Sequence, residues 1–156
     1  MASTRREALK SGGSVTLLAL LAAAGWLKPG AVAAQAWNKS AFEAKTIDET
    51  MKALGGGAPA QSKDIAFVST PDIAENGAVV PVAVTSKIPN TESIAILAEK
   101  NPFPLAASFD IAPGADAYVS TRLKVGQTTD VRALVKAGGK YFTAAKEVKV
   151  TVGGCG

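Results

Sequence analysis

From residue 65 onward, apolar and polar positions alternate in short stretches. Val119, Thr121, Leu123 and Val125 are interleaved with Ser120, Arg122 and Lys124, and Val148, Val150 and Val152 with Lys149 and Thr151. A period of two places the two sets on opposite faces of a strand. One face of each strand is therefore expected to be buried and the other wet. Strands are predicted near 65–69, 78–86, 93–98, 106–111, 117–125, 129–136 and 141–152, separated by Pro, Gly, Asn and Asp. Asn76-Gly77 and Gly138-Gly139 read as tight turns. About seven short strands with frequent turns predict an all-β fold, an immunoglobulin-like antiparallel β-sandwich. The Cys…Trp…Cys spacing of an antibody-type domain is absent. Pro81, inside an otherwise good strand, calls for an edge or a bulge.

Upstream the period changes. Ala44, Ile47, Met51 and Leu54 fall on one face at helical spacing, which predicts one N-terminal helix over 38–54. Asn38 or Ser40 can cap it, and Gly55-Gly56-Gly57 stops it. Its single apolar stripe would pack on a sheet or on a partner, in the simplest case as a flap covering a sheet edge. Asn101-Pro102-Phe103-Pro104 interrupts the strand pattern with a stiff, extended loop. Phe103 then either tucks into the core or stands out as a docking anchor.

The first residues follow neither period. Arg5-Arg6 precedes an apolar run over 15–26, which small residues close at Ala31-Val32-Ala33-Ala34-Gln35-Ala36. Basic, apolar and A-x-A segments in that order predict a cleaved export signal over 1–36, and the paired arginines point to the twin-arginine route. The apolar run is about 12 residues, short of the roughly 20 that span a bilayer. Cleavage after Ala33 or Ala36 fits equally. The expected organisation is thus signal 1–36, sandwich domain with its helix 37–152, and a tail over 153–156. Charge changes with the signal. The chain has 17 Lys+Arg against 13 Asp+Glu; Arg5, Arg6, Lys10, Lys28 and Glu7 leave with the signal, so 13 face 12, a net +1. The basic balance therefore carries no argument for nucleic-acid binding.

Composition excludes several chemistries. There is no histidine, hence no Ser-His triad and no imidazole ligand for a metal. No HExxH or CxxC is present, and Gly55-Gly56-Gly57 leads into Ala-Pro rather than the Lys-Ser/Thr of a phosphate loop. No cofactor or metal site is expected, nor an autonomous enzyme. What remains is one cysteine, Cys155, within Gly153-Gly154-Cys155-Gly156. Glycines without Cβ make a thin, mobile tether, a carrier arm suited to passing a thiol into a narrow pocket. A lone cysteine in an exported protein is either a working thiol or half of an intermolecular disulfide. The thiolate is the nucleophile, and the nearest cation in sequence is Lys149. Activation is therefore expected from a partner's pocket.

Three segments carry a family resemblance: Val152-Gly153-Gly154-Cys155-Gly156, Pro71-Asp72-Ile73-Ala74-Glu75-Asn76-Gly77, and Asn101-Pro102-Phe103-Pro104-Leu105-Ala106-Ala107 leading to Phe109. Together with the twin-arginine signal they resemble the SoxY family, the sulfur-carrier subunit of the bacterial Sox thiosulfate-oxidation system. The family arm usually ends GGCGG, and this sequence stops one glycine short of that. The resemblance implies a periplasmic heterodimer with a SoxZ-like β-sandwich. It also implies a c-type cytochrome that joins thiosulfate to Cys155 as a cysteine S-thiosulfonate, a manganese hydrolase that releases sulfate, and a sulfane dehydrogenase. No membrane association is implied after signal cleavage. By this resemblance Cys155 is the attachment site, and Gly153, Gly154 and Gly156 are the arm. Two other readings remain open from the residues alone. One is a structural sandwich whose cysteine only forms an intermolecular disulfide. The other is a small redox or metal-handling enzyme, against which the missing histidine and second cysteine speak.

Overall fold

A computed structural model describes residues 38–152 of the chain. Two helices come first, α1 (Lys39–Glu43) and α2 (Ile47–Ala53). Nine strands follow: β1 (Ala60–Gln61), β2 (Ile65–Phe67), β3 (Ile73–Asn76), β4 (Val80–Ser86), β5 (Thr91–Ala98), β6 (Leu105–Asp110), β7 (Tyr118–Leu123), β8 (Thr129–Ala137) and β9 (Lys140–Val152). One sheet has the order β1-β9-β8-β5-β6, with β3 also paired to β9; the other has the order β2-β4-β7. The all-β sandwich expected from the alternation is the fold. Among the described residues no helix is long and apolar enough to cross a membrane.

The single helix expected over 38–54 is instead broken in two, for a local reason. Ala44 adopts an extended ψ of 138° and ends α1. Thr46 then opens α2, its hydroxyl accepting from Glu49 N–H at 3.2 Å. The Glu49 carboxylate reaches back to Lys45 N–H at 3.1 Å. Thr-x-x-Glu is a capping signature, and caps satisfy the donors a helix start leaves free. Asn38 caps α1 as expected, its side-chain oxygen accepting from Ala41 N–H at 3.2 Å. At the far end Gly55 takes φ +81°. Gly56 N–H bonds Met51 carbonyl at 2.8 Å and Gly55 N–H bonds Lys52 carbonyl at 3.0 Å. This paired arrangement requires a left-handed residue, which glycine supplies without steric cost.

The sandwich interior is filled by Val80, Val82 and Val84 of β4, Ile94 and Ile96 of β5, Val119 and Leu123 of β7, Val131 and Val135 of β8, and Val148 of β9. A second apolar cluster lies on the outer face of the large sheet, where Ala95, Leu97, Leu105 and Leu134 meet Ala41 and Met51 of the helices. β5 and β8 are therefore buried on both faces, unlike the half-wet strands expected. The helices cover this face rather than only an edge. Tyr141 adds a hydrogen bond from its hydroxyl to Leu54 carbonyl, 2.6 Å.

Pro81 conforms to its constraint. β7 pairs along Val80–Thr85 of β4, but β2 reaches only Val84, Thr85 and Ser86. At Pro81 the β2 side is open, so the missing N–H costs no ladder bond there. Gly138 (φ 54°) and Gly139 (φ 72°) turn β8 into β9 between the paired Ala137 and Lys140. Two positive φ values in a two-residue hairpin match the right-handed strand twist.

Candidate functional site

Cys155, Gly153, Gly154 and Gly156 lie outside the described residues, as do Arg5 and Arg6. What the structure describes is the root from which the Gly-Gly-Cys segment leaves, and that root is held firmly. β9 runs thirteen residues and ends at Val152. β3 pairs parallel to its last stretch, Ile73 with Lys149, Ala74 with Val150 and Asn76 with Val152. Gly77 N–H donates to Val152 carbonyl at 2.8 Å, and Lys149 N–H donates to Asp72 carbonyl at 2.9 Å. The Thr151 hydroxyl donates to Glu75 carbonyl at 2.8 Å. From the other side Val150 N–H donates to the Thr128 hydroxyl at 3.0 Å.

The loops after β3, β5 and β7 gather at this end. Val125 N–H donates to Gly77 carbonyl at 2.7 Å. Asn101 then fastens the Pro-Phe-Pro loop to the same place. Its amide donates to Lys124 carbonyl at 2.8 Å and its side-chain oxygen accepts from Gly126 N–H at 3.3 Å. Lys100 N–H donates to the Thr129 hydroxyl at 2.9 Å, and Ala98 N–H to Pro104 carbonyl at 2.8 Å. Asn101 thus holds Lys124 and Gly126 on either side of Val125, and from Val125 hydrogen bonds lead through Gly77 to Val152.

Phe103, two residues from Asn101, is 51% exposed, so of the two placements open for it the structure takes the outward one. Val79 (56%) and Val152 (64%) are exposed at the same end. Phe103, Asn101 and Gly77 all fall in segments the sequence singles out, whereas Thr128 does not. The long-range partners of Asn101, Gly77 and Thr128 lie many positions away, and no local signal marks those pairings. Among the described residues no three His, Cys, Asp or Glu side chains gather to hold a metal ion.

The opposite end carries the only resolved titration shifts among the described residues. Lys136 Nζ lies 3.0 Å from Glu92 Oε2, and Gly139 N–H donates to Glu92 Oε1 at 3.1 Å. The bond from Lys136, then that from Gly139, holds the Glu92 carboxyl below its usual range. Glu92 in turn raises Lys136. This pair fastens the β8–β9 hairpin and stands apart from the arm root.

Comparison with known proteins bears on the whole region. A family model described as "Sulfur oxidation protein SoxY" matches residues 50–155 and so reaches through Cys155. The solved structure of the sulfur carrier protein SoxY from Chlorobium limicola f. thiosulfatophilum is similar at 40% identity, covering 69% of this chain and 97% of that one, with TM-score 0.62. A superoxide reductase (neelaredoxin) from Ignicoccus hospitalis aligns at 21% identity over 55% of this chain and 78% of that one, TM-score 0.49, a likeness too distant to bear on function. No curated protein matches. With its sandwich, its held root and a family match over residues 50–155, the chain belongs to the SoxY family of sulfur oxidation proteins.

Proposed function

We propose that this chain is the covalent carrier of sulfur intermediates in thiosulfate oxidation, with Cys155 as the attachment site and Gly153, Gly154 and Gly156 as its arm. The observation that carries this reading is the family match extending through residue 155, on a strand held to Val152. A two-electron oxidation joins the Cys155 thiolate sulfur to the outer sulfur of thiosulfate, and the electrons pass to a c-type cytochrome. Water then attacks the sulfonate sulfur. Sulfate and two protons leave, and a persulfide stays on Cys155. In this reading a manganese hydrolase performs the second step and a sulfane dehydrogenase the later oxidation. The chain works in the periplasm as a heterodimer with a SoxZ-like subunit, exported through its twin-arginine signal at Arg5 and Arg6.

A tether suits this chemistry. The intermediates are small, anionic and reactive, and a covalent bond keeps them from diffusing between enzymes. A firm root with a glycine arm limits the search to positions near Val152.

The test is intact-protein mass spectrometry of the mature chain from thiosulfate-consuming cells, before and after reduction. A reducible thiosulfonate or added sulfur mapped to Cys155, and absent from Cys155→Ser, is the expected result. Only free thiol and a disulfide dimer would favour the structural reading.

A further inference from the structure

We propose that the end of the sandwich around Val152 is the docking surface for the enzymes that act on Cys155, with Phe103 as its anchor and Lys100 and Lys124 as its charged flank. This inference rests on the carrier reading. Cys155 is three residues beyond Val152, and three extended residues reach about 10 Å. Any recessed pocket that receives the thiol must therefore bring its mouth down onto the surface around Val152. The opposite end, with the Glu92–Lys136 pair, lies a full strand length away and cannot be that contact.

The surface has what a docking site needs. Phe103, Val79 and Val152 are large, apolar and more than half exposed. An exposed aromatic on a stiff loop loses little conformational freedom on binding, which is why such residues anchor interfaces. Lys100 lies three residues before Phe103 on the same loop, and the carbonyl of Lys124 holds that loop through Asn101. Both lysines are exposed, and neither forms an ion pair among the described residues. Two unpaired cations beside an apolar anchor select a partner whose entrance offers an apolar socket bordered by carboxylates. Asn101 makes the surface one piece with the arm root, through Lys124, Gly126, Val125 and Gly77 to Val152. A partner that grips Phe103 thereby fixes where the arm begins. Asn101 acts as a positioning residue.

The test uses the mature chain with its second sandwich subunit, loaded with thiosulfonate at Cys155, as substrate for the sulfate-releasing hydrolase. Phe103→Ala is expected to raise KM about 30-fold, the effect of losing an interface hot spot, with kcat within about twofold. Lys100→Glu with Lys124→Glu, both on exposed sites that leave the core intact, is expected to raise KM and reverse its dependence on salt, because salt then screens a repulsion instead of an attraction. Asn101→Ala is expected to raise KM without changing the rate at which iodoacetamide alkylates unloaded Cys155. Unchanged KM in the Phe103 and lysine variants overturns the proposal. So does loss of the second subunit with normal KM once that subunit is in excess, because the surface would then serve the heterodimer. No sulfate release from the loaded wild-type chain overturns the carrier reading itself, a result distinct from the other two.

Discussion

In the proposed carrier, Cys155 depends on neighbours that have no side chains: Gly153, Gly154 and Gly156. A valine at position 154 would add a β-branched group beside the sulfur and restrict the backbone. Position 154 follows the last paired position of the described residues, Asn76 with Val152. Gly154→Val is expected to leave the melting temperature unchanged, within about 0.5 kcal/mol of wild-type stability. Sulfate release from the loaded chain is expected to fall sharply. A loss of stability of several kcal/mol would show that the tail packs into the fold. Asn101 shows what one side chain does at longer range: its two hydrogen bonds span 23 and 25 positions. The sequence marks Asn101 only as the start of the Pro-Phe-Pro segment, and nothing in it marks Lys124 or Gly126 as its partners.

The strands and helices differ in how much their own residues decided. β9 was legible because Val148, Val150 and Val152 alternate with polar positions, and the structure extends it from Lys140 to Val152. β3 was not, because Ile73–Asn76 is short and mixed and forms only against β9, in parallel register. The break between α1 and α2 was written in Thr46-x-x-Glu49 but outweighed by the apolar stripe that runs across it. The β8–β9 hairpin supports a prediction about pH. Glu92 is held below its usual range, so its ionised form favours the fold. That contribution is present above the ordinary carboxylate range and lost as pH falls through the depressed value. Lys136 is raised, so its contribution is present below the ordinary lysine value and lost as pH climbs through the raised one. Urea denaturation of Glu92→Gln is expected to show a shallower loss of stability on the acid side, with the neutral-pH fold retained. An acid limb identical to wild type would show that the pair does nothing for the fold.

Across the molecule, β5 and β8 join two apolar clusters, one inside the sandwich and one under the helices. Neighbouring residues on β5 serve different clusters. Ile96→Ala empties the sandwich interior and is expected to cost about 2–5 kcal/mol of global stability in denaturant unfolding. Leu97→Ala is expected to raise hydrogen exchange first in α1 and α2, which rest on that side of the sheet. Equal exchange changes throughout the chain in both variants would show the two clusters to be one unit. The run Ile94-Ala95-Ile96-Leu97-Ala98 carried this double burial as unbroken apolarity, which a two-residue period cannot describe. The sequence by itself determined the strand pattern, the lone thiol among glycines, the absence of imidazole chemistry and the family likeness. Each of these rests on the identity or local period of residues, which needs no partner to be read. Only the tertiary structure decided that β3 and β1 line the outer edge of β9, that the helices lie over a sheet face, and that Asn101, Val125 and Gly77 bind the Phe103 loop to Val152. Those are pairings between residues far apart in the chain. Backbone hydrogen bonds carry no side-chain code, so the partner of each is set by how the whole chain packs.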